Sequence, residues 1–377
     1  MTNTETRLAV ANAALPQLYM AVPMIETNSK CSVARKGVGQ QSSVSSAPGR
    51  RFAKLWMHLP RGLGLASLLA VVLAPSAGWA CACGCGVFDV GTGLMLPEGA
   101  GGMAFVEYDY QDQDHNWHDT SSAPAANNGD KEIRTHFVTA GVQYMFDRSW
   151  GLQVEVPYDD RYFKTTGGAS GSDIVSLDWA TLGDIRVEGI YTGFSPDMST
   201  GISFGFKLPT GSYTYNDAFG DVDRDSELGT GSTDILLGGF HRGNLTSSNM
   251  WTWFAQALLD LPVITRNDYR PGIELDAAAG IYYNGWSLGG LTITPVAQVI
   301  ASERTSDQGA YASGHSLDDP AGGIDSGYQR IMLSPGIELD MHPMSFYADV
   351  EVPVFQDFRG NQVVAPWLLK AAVSYHF

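Results

Sequence analysis

The sequence predicts an all-β chain: a transmembrane, antiparallel, up-and-down β-barrel of about 12 strands with both termini on the periplasmic side. Three observations predict it. A secretory signal ends near residue 80. From Gly101 onward, apolar residues alternate with polar or small ones in segments of ten or more. The chain closes on an alternating aromatic pattern, Val373-Ser374-Tyr375-His376-Phe377.

Residues 57–80 run from a basic start through the apolar stretch Leu63 to Pro75 into Ser-Ala-Gly-Trp-Ala, the layout of a cleaved signal peptide. The stretch is short for a membrane helix, which needs about 20 residues, so an uncleaved anchor is the weaker alternative and the mature chain is expected to begin at Cys81. Residues 1–56 carry Ser, Gly and basic residues without a core pattern and read as a poorly structured extension. Either the start is placed too early, with Met57 the true one, or the signal's basic region is extended. Residues 81–100 read as a Cys- and Gly-rich periplasmic segment, and 101–377 as the barrel.

Side chains in a strand alternate faces with period two. In 345–355, Phe346, Ala348, Val350, Val352 and Val354 share one face, while Tyr347, Asp349 and Glu351 share the other. In 330–340, Ile331, Leu333, Ile337 and Leu339 oppose Arg330, Ser334, Glu338 and Asp340. Twelve segments follow this rule: 101–112, 132–146, 149–163, 177–194, 197–212, 226–243, 249–264, 270–284, 286–303, 325–341, 343–357 and 361–377. Even-numbered connections are short (Asp147-Arg148, Ser195-Pro196, 243–248, Gly285, His342). Four odd ones, 113–131, 164–176, 213–225 and 304–324, are long and polar. Long external loops and short periplasmic turns characterise outer-membrane barrels. Aromatics near strand ends, among them Trp150, Tyr158, Tyr191, Phe194, Trp251, Trp286, Trp367 and Tyr375, fit interfacial girdles.

Charge excludes one class of partner. The first 80 residues hold 8 of the 23 Lys and Arg and 2 of the 40 Asp and Glu, leaving 15 basic and 38 acidic residues, a net charge of −23. Nucleic acid rewards the opposite balance. The expected setting is the outer membrane of a Gram-negative bacterium, with membrane lipid outside the barrel, a small-molecule permeant inside, and the barrel-assembly machinery reading Tyr375 and Phe377 as a C-terminal signal.

Three motifs are more specific: Leu182-Gly183-Asp184-Ile185-Arg186-Val187-Glu188-Gly189-Ile190-Tyr191, Phe206-Lys207-Leu208-Pro209-Thr210-Gly211, and Leu228-Gly229-Thr230-Gly231-Ser232-Thr233-Asp234-Ile235-Leu236-Leu237-Gly238. In order and spacing they resemble the transporter-like outer-membrane barrels grouped with the MetA-pathway phenol-degradation proteins, distantly like the long-chain fatty acid transporters. The resemblance spans about 180–240. It implies an outer-membrane channel or transporter passing small, often hydrophobic or aromatic, molecules. Physically, Gly beside Asp inside a strand suggests a bend, and Pro209 marks a strand end because it cannot donate a ladder hydrogen bond.

The polar faces are unusually charged. Glu107, Asp109, Glu155, Asp184, Arg186, Glu188, Lys207, Asp234, Asp260, Glu274, Asp276, Arg330, Glu338, Asp340, Asp349, Glu351 and Lys370 all fall on them. A Lys or Arg on the lipid face costs about 2–4 kcal/mol at the midplane, so these residues are expected to line the lumen. They could knit it into a plug or line a hydrated, selective path. The acid excess would favour cations or neutral polar solutes.

Cys81, Cys83 and Cys85 could bind a soft metal as thiolates. A disulfide or a lipid on Cys81 are alternatives, and no other cofactor is expected. The alternative to a channel is a structural or partner-binding barrel whose Cys-rich N-terminus engages a metal or a periplasmic protein. Asp217, Asp221, Asp223, Asp225 and Glu227 form a solvated acidic loop or an oxygen-rich Ca²⁺ loop without EF-hand spacing. His315-Ser316 lacks a nucleophile-elbow context, and His136, His241 and His376 stand singly, so no enzyme is expected.

Overall fold

Alternation folds into strands that show apolar side chains outward and polar ones inward. A computed structural model describes residues 96–97, 99–167, 173–215, 222, 224–309 and 326–377. In chain order the strands are β1 (Gly101–Gln113), β2 (His115–Asp119), β3 (Ser121–Ser122), β4 (Asp130–Met145), β5 (Trp150–Gly167), β6 (Asp173–Leu182), β7 (Ile185–Tyr191) and β8 (Thr200–Leu208). They continue with β9 (Thr233–Asn244), β10 (Trp251–Ile264), β11 (Glu274–Tyr283), β12 (Trp286–Leu288), β13 (Leu291–Arg304), β14 (Tyr328–Met341), β15 (Met344–Val364) and β16 (Leu368–His376).

Among the described residues these elements make a closed, antiparallel barrel of twelve strands. β6 and β7 are two halves of one barrel strand, both paired to β5. β16 closes on β1 from Met103↔His376 to Gln111↔Leu368. Beyond the ladder, Gly102 N donates to Phe377 O at 2.7 Å and Phe377 N to Gly102 O at 2.8 Å. Closure matters because a membrane gives an unpaired strand edge no water to bond. Val106, Val142, Leu152, Phe204, Phe206, Leu237, Ile281 and Val352 are exposed on the outer face, as a lipid-facing belt requires. Near the short turns the aromatics cluster: Trp150 and Tyr191 centroids lie 4.7 Å apart and those of Trp251 and Tyr283 4.9 Å.

Short turns are held locally. Asp147 Oδ1 accepts Ser149 N at 2.6 Å and Trp150 N at 2.9 Å. In the next short turn, hydrogen bonds from the Ser199 hydroxyl and then its backbone N–H hold the Asp197 carboxyl below its usual range.

Several boundaries differ from the sequence pattern. The segment 177–194 is interrupted at Gly183-Asp184. The segment 286–303 contains a hairpin, because Gly289 and Gly290 take positive φ (58° and 91°) and reverse the chain between β12 and β13. The segments 343–357 and 361–377 divide later than expected. β15 continues to Val364, since its outer end pairs with β2 through Asn361↔His118 to Val364↔His115. That pairing also gives the loop 113–131 a strand structure that its polar sequence did not announce. The segment 226–243 becomes a strand only at Thr233, and the residues before it fold into the barrel.

Candidate functional site

Strand parity fixes which side chains enter the lumen. On β1 the odd positions face inward, so Met103 and Phe105 share a face with Glu107, Asp109, Gln111 and Gln113. All the charges expected on polar faces are found inside: buried in the barrel wall's inner layer or lining its cavities.

Three cavities follow one another along the lumen. The periplasmic one, about 710 Å³, is lined by Gly99, Gly101, Gly102, Thr292, Glu338, Asp340 and Ser345 among others. It shares Leu96, Pro97, Met103 and Gln143 with a middle cavity of about 110 Å³. The middle one shares Glu107, Thr139, Glu155 and Leu258 with an external cavity of about 200 Å³. Ten carboxylates and five basic groups line the external cavity, so its lining is net acidic.

Ion pairs link strands remote in sequence. Lys207 Nζ lies 2.5 Å from Asp260 Oδ2 and 2.6 Å from Asp234 Oδ2. Lys370 Nζ lies 3.1 Å from Glu107 and 3.5 Å from Asp109. Asp349 accepts hydrogen bonds from Tyr347 OH at 2.6 Å, Ser334 Oγ at 2.8 Å and Gln298 Nε2 at 3.0 Å. Asp276 accepts from Ser302 Oγ, and Glu274 accepts from Tyr328 OH at 2.5 Å. The guanidinium of Arg330 sits 4.4 Å from the Tyr328 ring centroid. Beside these groups, Phe254, Tyr282, Val296, Tyr347 and Ala372 pack together, so the β10–β16 side of the lumen is filled.

The three sequence motifs meet in space. At the Gly183-Asp184 interruption, the Asp184 carboxylate accepts Gly211 N at 2.9 Å, Thr230 N at 2.8 Å and Thr230 Oγ1 at 2.6 Å. Thr210 Oγ1 donates to Gly183 O at 3.0 Å and accepts from Ile185 N at 2.8 Å. Gly211 and Gly229 touch backbone to backbone: a Cβ on Gly229 would lie 2.4 Å from the Gly211 carbonyl carbon. Only glycine allows that approach. The knot anchors both ends of the connection 209–232.

Between its anchors the described residues of this connection, 211–215, 222 and 224–230, turn into the external end. Arg161, fully buried, donates through Nη1 to Ser226 O at 2.6 Å and Glu227 O at 3.3 Å. Glu227 Oε1 accepts Tyr215 N at 2.6 Å. The Arg224 guanidinium lies between the rings of Tyr213 and Tyr269, 4.6 and 4.9 Å from their centroids. Val222 packs against Ile133, Phe163, Leu177, Trp179 and Val363, and Tyr215 stacks on Trp179 at 4.8 Å and 9°. The expectation of a solvated acidic loop is corrected here: Asp225 and Glu227 are buried inside the barrel, while Asp217, Asp221 and Asp223 lie outside the described residues. The Cys- and Gly-rich segment 81–100 lies mostly outside the described residues. Its described residues Leu96 and Pro97 enter the lumen, where Arg242 Nη2 donates to Pro97 O at 3.1 Å.

Sequence reasoning missed Arg161, Arg224, Gln143 and Gln153, and the apolar inward residues Phe105, Ile190, Phe240 and Phe254. Parity could have found Arg161, which is in frame with Glu155 and Asp159, and Phe105, in frame with Glu107. Arg224 had no local signal. His136 and His241 are partnered, by Tyr108 OH at 2.8 Å and Thr200 Oγ1 at 2.7 Å. Cys81, Cys83, Cys85, His315 and Ser316 lie outside the described residues. Tyr375 and Phe377 sit exposed at the barrel seam, their rings 6.5 Å apart.

No family model matches the chain, and no curated protein matches it. Solved structures do. The crystal structure of an outer-membrane channel from Pseudomonas putida F1 covers 77% of this chain and 100% of that one, with a TM-score of 0.54 at 12% identity. The β domain of the Bordetella autotransporter BrkA gives a TM-score of 0.41 at 12% identity, covering 74% and 100%. The Pseudomonas putida toluene transporter TodX gives 0.36 at 10%, covering 80% and 98%. The first of these similarities establishes the class: a closed barrel of the outer-membrane type, the fold that the three motifs implied.

Proposed function

We propose that the chain resides in the outer membrane of a Gram-negative bacterium and passes small molecules through a narrow, charged lumen. The carrying observation is the succession of three cavities through the barrel, each sharing lining residues with the next. A barrel built only as a scaffold would gain by filling that space, since interiors pack to high density. The apolar part of the middle cavity suits permeants with a hydrophobic or aromatic portion. The net acidic external lining favours cations over anions. In this reading Tyr375 and Phe377 serve as the signal for barrel assembly, and the protein acts as a conduit rather than a catalyst.

Planar-bilayer recording tests the reading. Steady, small unitary currents in KCl with a cation-selective reversal potential are expected. A correctly folded barrel, shown by a heat-shifted gel band, that passes no current overturns it in favour of a closed structural barrel.

A further inference from the structure

The middle cavity has two unlike sides. One is apolar, with Phe105, Ile190 and Phe240; the other carries Glu107, Glu155 and Glu188, and no Lys or Arg lines it. The three carboxylates are not equivalent. Glu107 accepts from Lys370 at 3.1 Å. Glu155 accepts from Gln153 Nε2 at 2.7 Å, which is fixed in turn by Gln143 at 2.9 Å. Glu188 is only 7% exposed, faces the cavity, and has no hydrogen bond or ion pair among the described residues. Its place is shaped by Gly205 on the paired strand, where a Cβ would lie 2.7 Å from Glu188 Cγ. A buried carboxylate with no counter-charge is costly, and here the only room for a partner is the cavity.

We propose that the middle cavity binds a small amphipathic cation: a protonated amine on a short aliphatic body. The ammonium sits against Glu188, with Glu155 beside it, and the body lies against Phe105, Ile190 and Phe240. Each alternative occupant leaves something unmet. A bare inorganic cation makes no use of the apolar side, a neutral aromatic leaves Glu188 unpaired, and an anion is repelled. The aromatic rings add to the choice, because their faces attract ammonium groups. Size sets the limit: a cavity of about 150 Å³ accepts benzene, so about 110 Å³ restricts the body to a few carbons. The site deepens the channel reading, on which it rests only for the bound cation being a permeant.

Calorimetric titration of the folded, detergent-solubilised protein decides the matter without requiring transport. Butylammonium chloride is expected to bind at one site, while sodium butyrate, butanol and potassium chloride do not. Glu188→Gln, an isosteric change, is expected to weaken butylammonium binding at least tenfold while the heat-shifted gel band persists. If that variant does not fold, the comparison of butylammonium with butyrate, butanol and potassium on the unaltered protein still decides. Equal binding of any of those three, or an unchanged affinity in Glu188→Gln, overturns the proposal. Bilayer recording separates it from the channel reading: a silent barrel that binds butylammonium keeps the site and loses the channel, and a conducting barrel that does not bind it does the reverse.

Discussion

At its periplasmic end the lumen opens into a cavity of about 710 Å³ where glycines and short polar side chains mix with larger ones such as Met145, Tyr282 and His376, whereas at its external end it narrows to about 200 Å³ around Arg161, Arg224, Asp225 and Glu227. The same strands run through both ends, so the wall does not make the difference. The connections do. A turn such as 146–149 is too short to reach the barrel axis. The connection 209–232 is long enough to fold back, and it carries the groups that reward doing so. The room at the external end is therefore set by one loop and its anchor, while the middle cavity, about 110 Å³, is smaller still and is lined by the strands with Leu96 and Pro97.

The contrast can be broken most directly at Asp184. Hydrogen bonds to an ionised group contribute about 1.5–3 kcal/mol each, and Asp184 accepts three from the loop's two ends. Asp184→Ala is expected to free the connection and raise unitary conductance, up to the limit that the middle cavity of about 110 Å³ sets in series with it; Gly229→Ala should act alike by forcing the motifs apart. An unchanged conductance in both would show that the loop does not set the aperture. Next in size is Lys207→Met, which strands the buried Asp234 and Asp260 and should destabilise the barrel by about 3–5 kcal/mol. The temperature of the gel band's heat shift should fall accordingly, and a shift within error would mean that the two carboxylates are neutralised by other means.

Arg161→Ala removes the donor to Ser226 O and Glu227 O while leaving the anchor intact. It should cost about 2 kcal/mol of loop docking, seen as flickering, intermittently larger currents rather than a uniform rise. The smallest effect is expected at the other end. Arg242→Ala releases the Pro97 carbonyl, but the periplasmic cavity is already wide, so conductance should change by less than a factor of two. A larger increase there would place the limiting constriction at Leu96 and Pro97 and reverse the comparison.

Much of the barrel was legible in the residues. Asp349 and Glu351 alternate with Val350 and Val352, and that alone assigns their faces. The motif containing Gly183-Asp184 signalled a bend, and Pro209 a strand end. What local pattern could not supply was partnership. Nothing near Lys207 in sequence points to Asp260, or near Lys370 to Glu107. Gly289-Gly290 sits inside what reads as one alternating run, although the hairpin it makes shifts the outward positions from even (Trp286, Leu288) to odd (Leu291, Ile293).

The sequence by itself determined where the chain crosses, which side chains face lipid and which face inward. Those choices are local: period-two alternation is a property of a single strand, and a hydrocarbon surface penalises charge wherever it falls. Only the tertiary structure decided how the interior is filled, which carboxylates are paired, and that Glu188 faces the middle cavity. These depend on contacts between residues far apart in the chain, which the closed barrel and the described residues of the connection 209–232 bring together.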